Sequence, residues 1–379
     1  MSNDYLRGDR GRTGGEGAQG TVQRSVGPGK QTLTSQLPVQ QKAAEGSSHA
    51  PGVAAAPEGA AELPPRVETL PGLAELLASG DAALATTAQP AATEHAAPRQ
   101  APAAPQQVPP TGPAAAGAAP AVTGIESQVA IDRFVAAGHA VQTDWATLTP
   151  QQRADRFGAA ANAELTQVHV PTAAVALSAS LGAAAGELDF PTWTLNLGTT
   201  AFSAASVTDA TAGAMANTVY HETRHAEQWH RMARVRAGAG VTAADIATQM
   251  GIPARVATSA FGQPLSGAGQ EATEGNAWYQ SVYGTGAAAR GTVLQNVLRL
   301  AAASQQAQAA YDRVNADPAA TPAAKQAAQT AWVAAYNALQ PAYAAYRALP
   351  EEADAFRAGD AASAAYARPR PAAAPTPGH

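Results

Sequence analysis

The spacing of apolar and polar residues changes several times along these 379 residues, and each change marks an element. Ile125, Val129, Ile131, Phe134 and Val135 recur at helical intervals over 125–137, with Gly138 placed to stop that helix. Thr149 followed by Pro150 is an N-cap with proline at the first helical position, and predicts a helix to about Leu165. The period then shortens to two. Asp-Phe-Pro-Thr-Trp-Thr-Leu-Asn-Leu-Gly over 189–198 alternates apolar with polar residues and predicts a strand. Thr208 and Asp209 cap a long helix reaching about Arg236, with Gly238 behind it. Further helices are expected over 242–250, ended by Gly251 and Pro253, and over 268–283, ended by Gly284. Two Ala- and Gln-rich stretches, 290–314 and 321–339, are joined by Asp317-Pro318 as an αα-hairpin. A short helix from Pro350 to Gly359 closes the series. The pattern is α+β, mainly α, with a small sheet and no internal repeat.

Composition confines this pattern to the C-terminal two thirds. Among the twenty aromatic residues only Tyr5 precedes residue 130, whereas fifteen of the 28 prolines fall between Pro28 and Pro120. A segment so poor in aromatics cannot bury enough apolar surface to offset its ordering entropy. Residues 1–122 are therefore expected to form a disordered arm, 123–360 one folded domain, and 361–379 a disordered tail. Within the arm, Leu70, Leu73 and Leu77 share helical spacing over 66–80, which suits a transient linker helix or a short docking motif.

Charge and cysteine content narrow the function classes. A net charge of -5 with 14% charged residues offers no broad basic surface, so nucleic acid is not the expected partner. The absence of cysteine excludes disulfides, thiol nucleophiles and cysteine-ligated metal sites. The N-terminus has Arg7, Arg10 and Arg12 but no apolar core of a secretory signal, and no stretch is long enough to span a membrane. The expected location is the cytoplasm at synthesis, with any export by a route that uses no signal peptide. Three lysines against 21 arginines, amid abundant Ala, Gly and Pro, point to a GC-rich bacterial genome.

The chemistry concentrates in the long capped helix, where residues 220–230 read Tyr-His-Glu-Thr-Arg-His-Ala-Glu-Gln-Trp-His. His221 and His225 are four apart and project from one helix face, so both imidazoles can reach one metal ion. Glu222 adjoins the first of them and is placed to act on a metal-bound water as general base. Zinc is the expected ion, since it holds and acidifies that water and polarises a carbonyl. A third ligand must come from elsewhere. Glu271 and Glu274 share one face of the 268–283 helix and are candidates. His230 reads as a surface position and Glu227 as a solvated one, Gln228 as solvated or else packed or hydrogen-bonded near the site, and Arg224 as an unusual charge inside the motif. Tyr279, Tyr283, Tyr343 and Tyr346 are candidate oxyanion donors, or buried core tyrosines.

From His221 onward the chain resembles gluzincin-type zinc metallopeptidases. Residues 346–356, Tyr-Arg-Ala-Leu-Pro-Glu-Glu-Ala-Asp-Ala-Phe, look like the YxxxPxExxA signature that supplies the distal glutamate in many small bacterial HExxH proteins. Tyr346, Pro350, Glu352 and Ala355 fall on that pattern, which implies Glu352 as third ligand ahead of Glu274. The metzincin pattern would need histidine at the position of Arg231. The aspzincin pattern finds Gln280 where its aspartate should stand. The resemblance implies a zincin-like fold with the hairpin as an insertion, and places Leu195-Asn196-Leu197 as the edge strand that binds substrate backbone. It also implies hydrolysis of peptide bonds in a protein or peptide substrate. A long arm ahead of an HExxH domain is similar to cargo proteins of bacterial contractile injection systems, which implies a secreted effector engaging that machinery through its arm. The other class of function is a non-catalytic helical binding or structural protein, metal-stabilised or metal-free, associated with such an apparatus.

Overall fold

The computed structural model describes residues 63–64, 124–181 and 185–368. The 66–80 segment, nearly all of the expected 1–122 arm and the chain beyond 368 lie outside the described residues. Ser127 caps α1 (Gln128–Thr143) through the Ala130 amide, and Thr149 caps α2 (Pro150–Gln167) in a reciprocal box with Gln152. A 3₁₀ turn, Trp145–Thr147, separates them. Three strands follow: β1 (Ala174–Ser178), β2 (Gly186–Asp189) and β3 (Thr194–Gly198). After the single-turn α3 (Thr199–Phe202), Thr208 caps α4 (Asp209–Gly238), a 30-residue helix. Two short helices, α5 (Ala243–Met250) and α6 (Ala254–Phe261), lead to α7 (Gln270–Val282). The hairpin α8 (Ala287–Ala316) and α9 (Pro322–Arg347) precedes α10 (Pro350–Tyr366).

The molecule is mainly helical with one small sheet of order β1-β3-β2. β1 pairs parallel with β3, and β2 pairs antiparallel with it. The expected single strand over 189–198 is thus the end of β2, a turn, and β3. Trp193 adopts a left-handed φ of 57° at that turn, and its ring is wholly buried. β3 is the middle strand, so the expected edge at Leu195-Asn196-Leu197 is corrected. The edges are β1 and β2, and β2 is the one that faces α4.

α4 is the axis of the main core. Nearly every residue from Ala212 to Ala233 is buried, which an amphipathic surface helix never shows. Phe190 stacks on Trp229 at 3.9 Å, and Phe134 lies 4.7 Å from Tyr220, so sheet and α1 clamp it from two sides. A second apolar cluster joins the base of the hairpin, including Leu294, Val297, Leu339 and Tyr346, to Phe356 of α10.

Several boundaries move for reasons of packing. α1 does not stop at Gly138, because that residue sits inside the helix, where a Cβ would lie 3.0 Å from the Tyr366 ring. α9 runs past Leu339 and through Pro341, since burial of Ala342, Tyr343 and Tyr346 outweighs the amide the proline lacks. α10 continues beyond Gly359 to Tyr366, with Ala362, Ala365 and Tyr366 in the core. Two elements had no clear periodic signal: β1, a five-residue run, and α6, an eight-residue helix.

Gly359 sets how closely α10 approaches α4. A Cβ there would stand 2.8 Å from Asn217 Oδ1, 2.9 Å from the Asn217 carbonyl oxygen and 3.2 Å from His221 Cβ. The main-chain carbonyl cannot rotate away, so a methyl group forces the helices apart. Gly359→Ala should destabilise the fold by about 1–3 kcal/mol despite alanine's better helix propensity. The measurement is a urea melt, in which the midpoint falls while the slope holds.

Candidate metal centre

The approach of α10 to α4 brings three ligating side chains together. His221, His225 and Glu352 each offer an atom within 4.8 Å of the others. The two Nε2 atoms are 2.9 Å apart, and Glu352 Oε2 lies 3.7 Å from the first and 3.5 Å from the second. Ligands bound at about 2.0–2.1 Å around a tetrahedral ion stand about 3.4 Å apart, so these spacings bracket a small cation. All three side chains are fully buried.

Hydrogen bonding leaves the same place unsatisfied. Neither Glu352 oxygen has a hydrogen-bond partner, and Arg290 Nη2 is 3.9 Å from Oε1, beyond bonding range. A buried carboxylate without donors is costly, and a cation between it and two imidazole lone pairs supplies the missing partner. The donor set of two imidazoles and a carboxylate therefore fits a divalent metal ion.

Electrostatics draw positive charge to the same point. Burial pushes the His225 imidazole down, yet the Glu352 carboxylate, Glu222 and the Gln228 bond outweigh it and leave its pKa raised. Burial and the neighbouring His225 hold His221 well below its ordinary value, with Arg347 adding to the effect.

Glu222 points towards the sheet. Its Oε2 accepts a 2.9 Å hydrogen bond from the Leu188 amide, on the side of β2 turned away from β3. The carboxylate is fully buried, so the expected general base also anchors the sheet to α4. Its neighbour Arg224 is no exposed anomaly: it is 1% exposed and binds Asp354 at 2.7 Å, together with Glu126 and Glu227. Glu227 in turn takes the Ile125 amide at 3.1 Å and pairs with Arg231. Glu227 and Gln228 are therefore buried structural partners and not solvated positions.

The rival ligands stand elsewhere. Glu274 pairs with Arg231 at 2.8 Å and Glu271 with Arg234 at 3.4 Å, because α7 packs against α4 more than a turn beyond His225. The tyrosines separate as well. Tyr283 receives Trp229 Nε1 and donates to the Met250 carbonyl, both at 2.9 Å, and Tyr279 lies under Arg236. Tyr346 is fully buried, and its phenol is pushed well above its ordinary pKa, first by burial and then by the Glu352 carboxylate. Sequence reasoning left Gln228 between a solvated and a hydrogen-bonded position and passed over Asp354, Glu351 and Arg290. The i, i+3 step from His225 to Gln228 was the one signal available for any of them.

Comparison of the chain with known protein families, characterised proteins and solved structures finds no match. The arrangement of side chains is thus the ground for a functional assignment.

His230 is the remaining correction. It is 1% exposed, not at the surface, with Nε2 3.3 Å from Ser259 Oγ. Burial, with Arg234 adding to it, lowers its pKa to about 4. The unfolded chain takes up this proton near pH 6.5, whereas the folded chain takes it up only near pH 4. The contribution of His230 to stability should accordingly fall as pH drops from about 6.5 to about 4, with His221 acting in the same direction and the raised His225 against it. In urea melts at pH 7 and 4.5, His230→Gln should lose less stability between the two than the parent chain. An equal loss would clear this imidazole of responsibility.

Proposed function

We propose that the chain is a zinc-dependent hydrolase of peptide bonds, with His221, His225 and Glu352 holding the ion and Glu222 as general base. The observation that carries this reading is the convergence of two imidazole nitrogens on a buried carboxylate whose oxygens accept no hydrogen bond. A set of three protein ligands is the arrangement that leaves zinc a position for water, whereas structural zinc sites close with four. Bound there, zinc would acidify a water and polarise a carbonyl. Glu222, one residue from the first ligand, would take the proton, and Tyr346 would donate to developing negative charge beside Glu352. The bacterial effector role, with the arm engaging an injection apparatus, belongs to this proposal on the strength of the sequence resemblance.

One observation favours a second reading. His221, Glu222, His225 and Glu352 are all fully buried, as suits an ion that staples α10 to α4 in a non-catalytic binding domain. The two readings part on one variant. Purified protein should carry one zinc per chain and melt at lower temperature after chelation. Glu222→Gln should keep the zinc while hydrolysis of an unfolded polypeptide falls by about 10²–10⁴-fold. Zinc uptake with no hydrolysis in the parent chain would select the staple, and no zinc uptake would remove both.

A further inference from the structure

The two histidines of the centre are held differently. His225 Nδ1 is 2.7 Å from Gln228 Oε1. At its other end, Gln228 Nε2 lies 2.8 Å from both the Glu351 carbonyl oxygen and Asp354 Oδ2. Both of those atoms only accept, so the amide end facing them is the NH₂, and the end facing His225 is the carbonyl oxygen. That oxygen only accepts, so the proton of His225 sits on Nδ1. Asp354 is itself fixed, because Arg224 Nε donates to the same Oδ2 at 2.7 Å and Arg357 pairs with Oδ1. His221 has no such support: its Nδ1 is buried and without a hydrogen-bond partner.

We infer that Arg224, Asp354 and Gln228 form a relay that locks the neutral His225 ring in its Nδ1–H tautomer, so that its Nε2 lone pair is presented to the centre. Gln228 is a positioning residue, and His221 is the adaptable ligand. Without the ion, the 2.9 Å contact between the two Nε2 atoms needs one proton, and the lock assigns it to His221. Uptake of the ion then moves the His221 proton from Nε2 to Nδ1, while His225 keeps its own. The charged residue inside the HExxH sequence thereby acquires a purpose, since Arg224 orients the acceptor that orients the amide. The inference rests on the metal-centre reading for its purpose, but the lock itself is observable without metal.

The test uses the full chain, Gln228→Leu, Gln228→Glu and Asp354→Asn, with helical content checked by circular dichroism. Long-range ¹H–¹⁵N spectra of metal-free protein, taken at a pH high enough to leave no imidazolium, should show His225 protonated on Nδ1 and His221 on Nε2. Gln228→Leu should scramble the His225 tautomer and weaken Zn²⁺ binding, read by chelator competition, about 10- to 100-fold. Gln228→Glu keeps an acceptor for Nδ1–H but loses the NH₂ held by Asp354 and the Glu351 carbonyl, so the Nδ1–H state should return while zinc binding stays weakened. Asp354→Asn should weaken zinc binding even where the leucine variant fails to fold. A parent chain with His225 protonated on Nε2 would overturn the relay, whatever its zinc content. Unchanged tautomer and zinc affinity within twofold in both Gln228→Leu and Asp354→Asn would overturn it too. If the parent binds no zinc yet the tautomer shifts in Gln228→Leu, the relay stands and the metal-centre reading falls.

Discussion

A carboxylate placed at the centre of a protein with no donor to satisfy it is the constraint around which this fold is arranged. Glu352 arrives in the first turn of α10, next to Glu351, and both are fully buried. Glu351 has an answer in Arg290, whose Nε lies 2.6 Å away. Glu352 accepts no hydrogen bond; around it stand the two imidazole edges of α4, the Tyr346 phenol and a guanidinium nitrogen at 3.9 Å. Leaving such a group unsatisfied costs more than one hydrogen bond contributes, so its neighbourhood must favour positive charge. The raised His225 shows the same pull acting on a proton.

Around that point the protein places charge in matched pairs instead of excluding it. Arg224 meets Asp354, Glu126 and Glu227; Arg231 meets Glu227 and Glu274. Removing one member of such a buried set leaves its partner uncompensated, so the network makes geometry specific even where its net stabilisation is small. It ties three distant stretches of chain to one face of α4: the entry to α1 through Glu126 and Ile125, the start of α10 through Asp354, and α7 through Glu274. The ligands inherit that precision. Gly359 lets α10 close on Asn217 and His221, and Asp354 aligns the Gln228 amide with His225.

What the sequence disclosed follows from the range of the forces involved. Caps at Thr149, Thr208 and Thr242 are local, and the helices they open could be read from a few residues. The four-residue step between His221 and His225 is local too. Glu352 was reached through a short pattern around Pro350, not through any spacing from the histidines, since the long intervening stretch of chain carries no distance information. The failures are cases of tertiary override. Gly138 and Gly359 looked like stops but are contact points, where a neighbouring helix or ring replaces the missing side chain. His230, Glu227 and Gln228 looked solvated because polar residues usually are. On a helix buried on every side they become partners for one another, for the entry to α1, and for elements as distant as α6 and α10. Strand order lay out of reach for the same reason: β3 reads as an edge until β1 pairs along its other side.

The burial of the centre bears on what it can do. The four residues of the motif chemistry are sealed between two apolar clusters: Trp229 and Leu188 of the main core meet His225 and Glu222, and the cluster at the hairpin base meets His221. Phe356 lies 4.6 Å from His221 and 6.2 Å from Tyr346, and those two aromatic residues belong to the separate cluster at the base of the hairpin. The hairpin is attached through the short link at 283–286 on one side and through Ala348 and Leu349 on the other. α10 carries members of both clusters, Phe356 in one and Ala358 and Ala362 in the other, so the hairpin base and the main core are coupled through a single helix beside the ligands. The β2 edge reaches the same region of α4 from the sheet, where Glu222 accepts from the Leu188 amide.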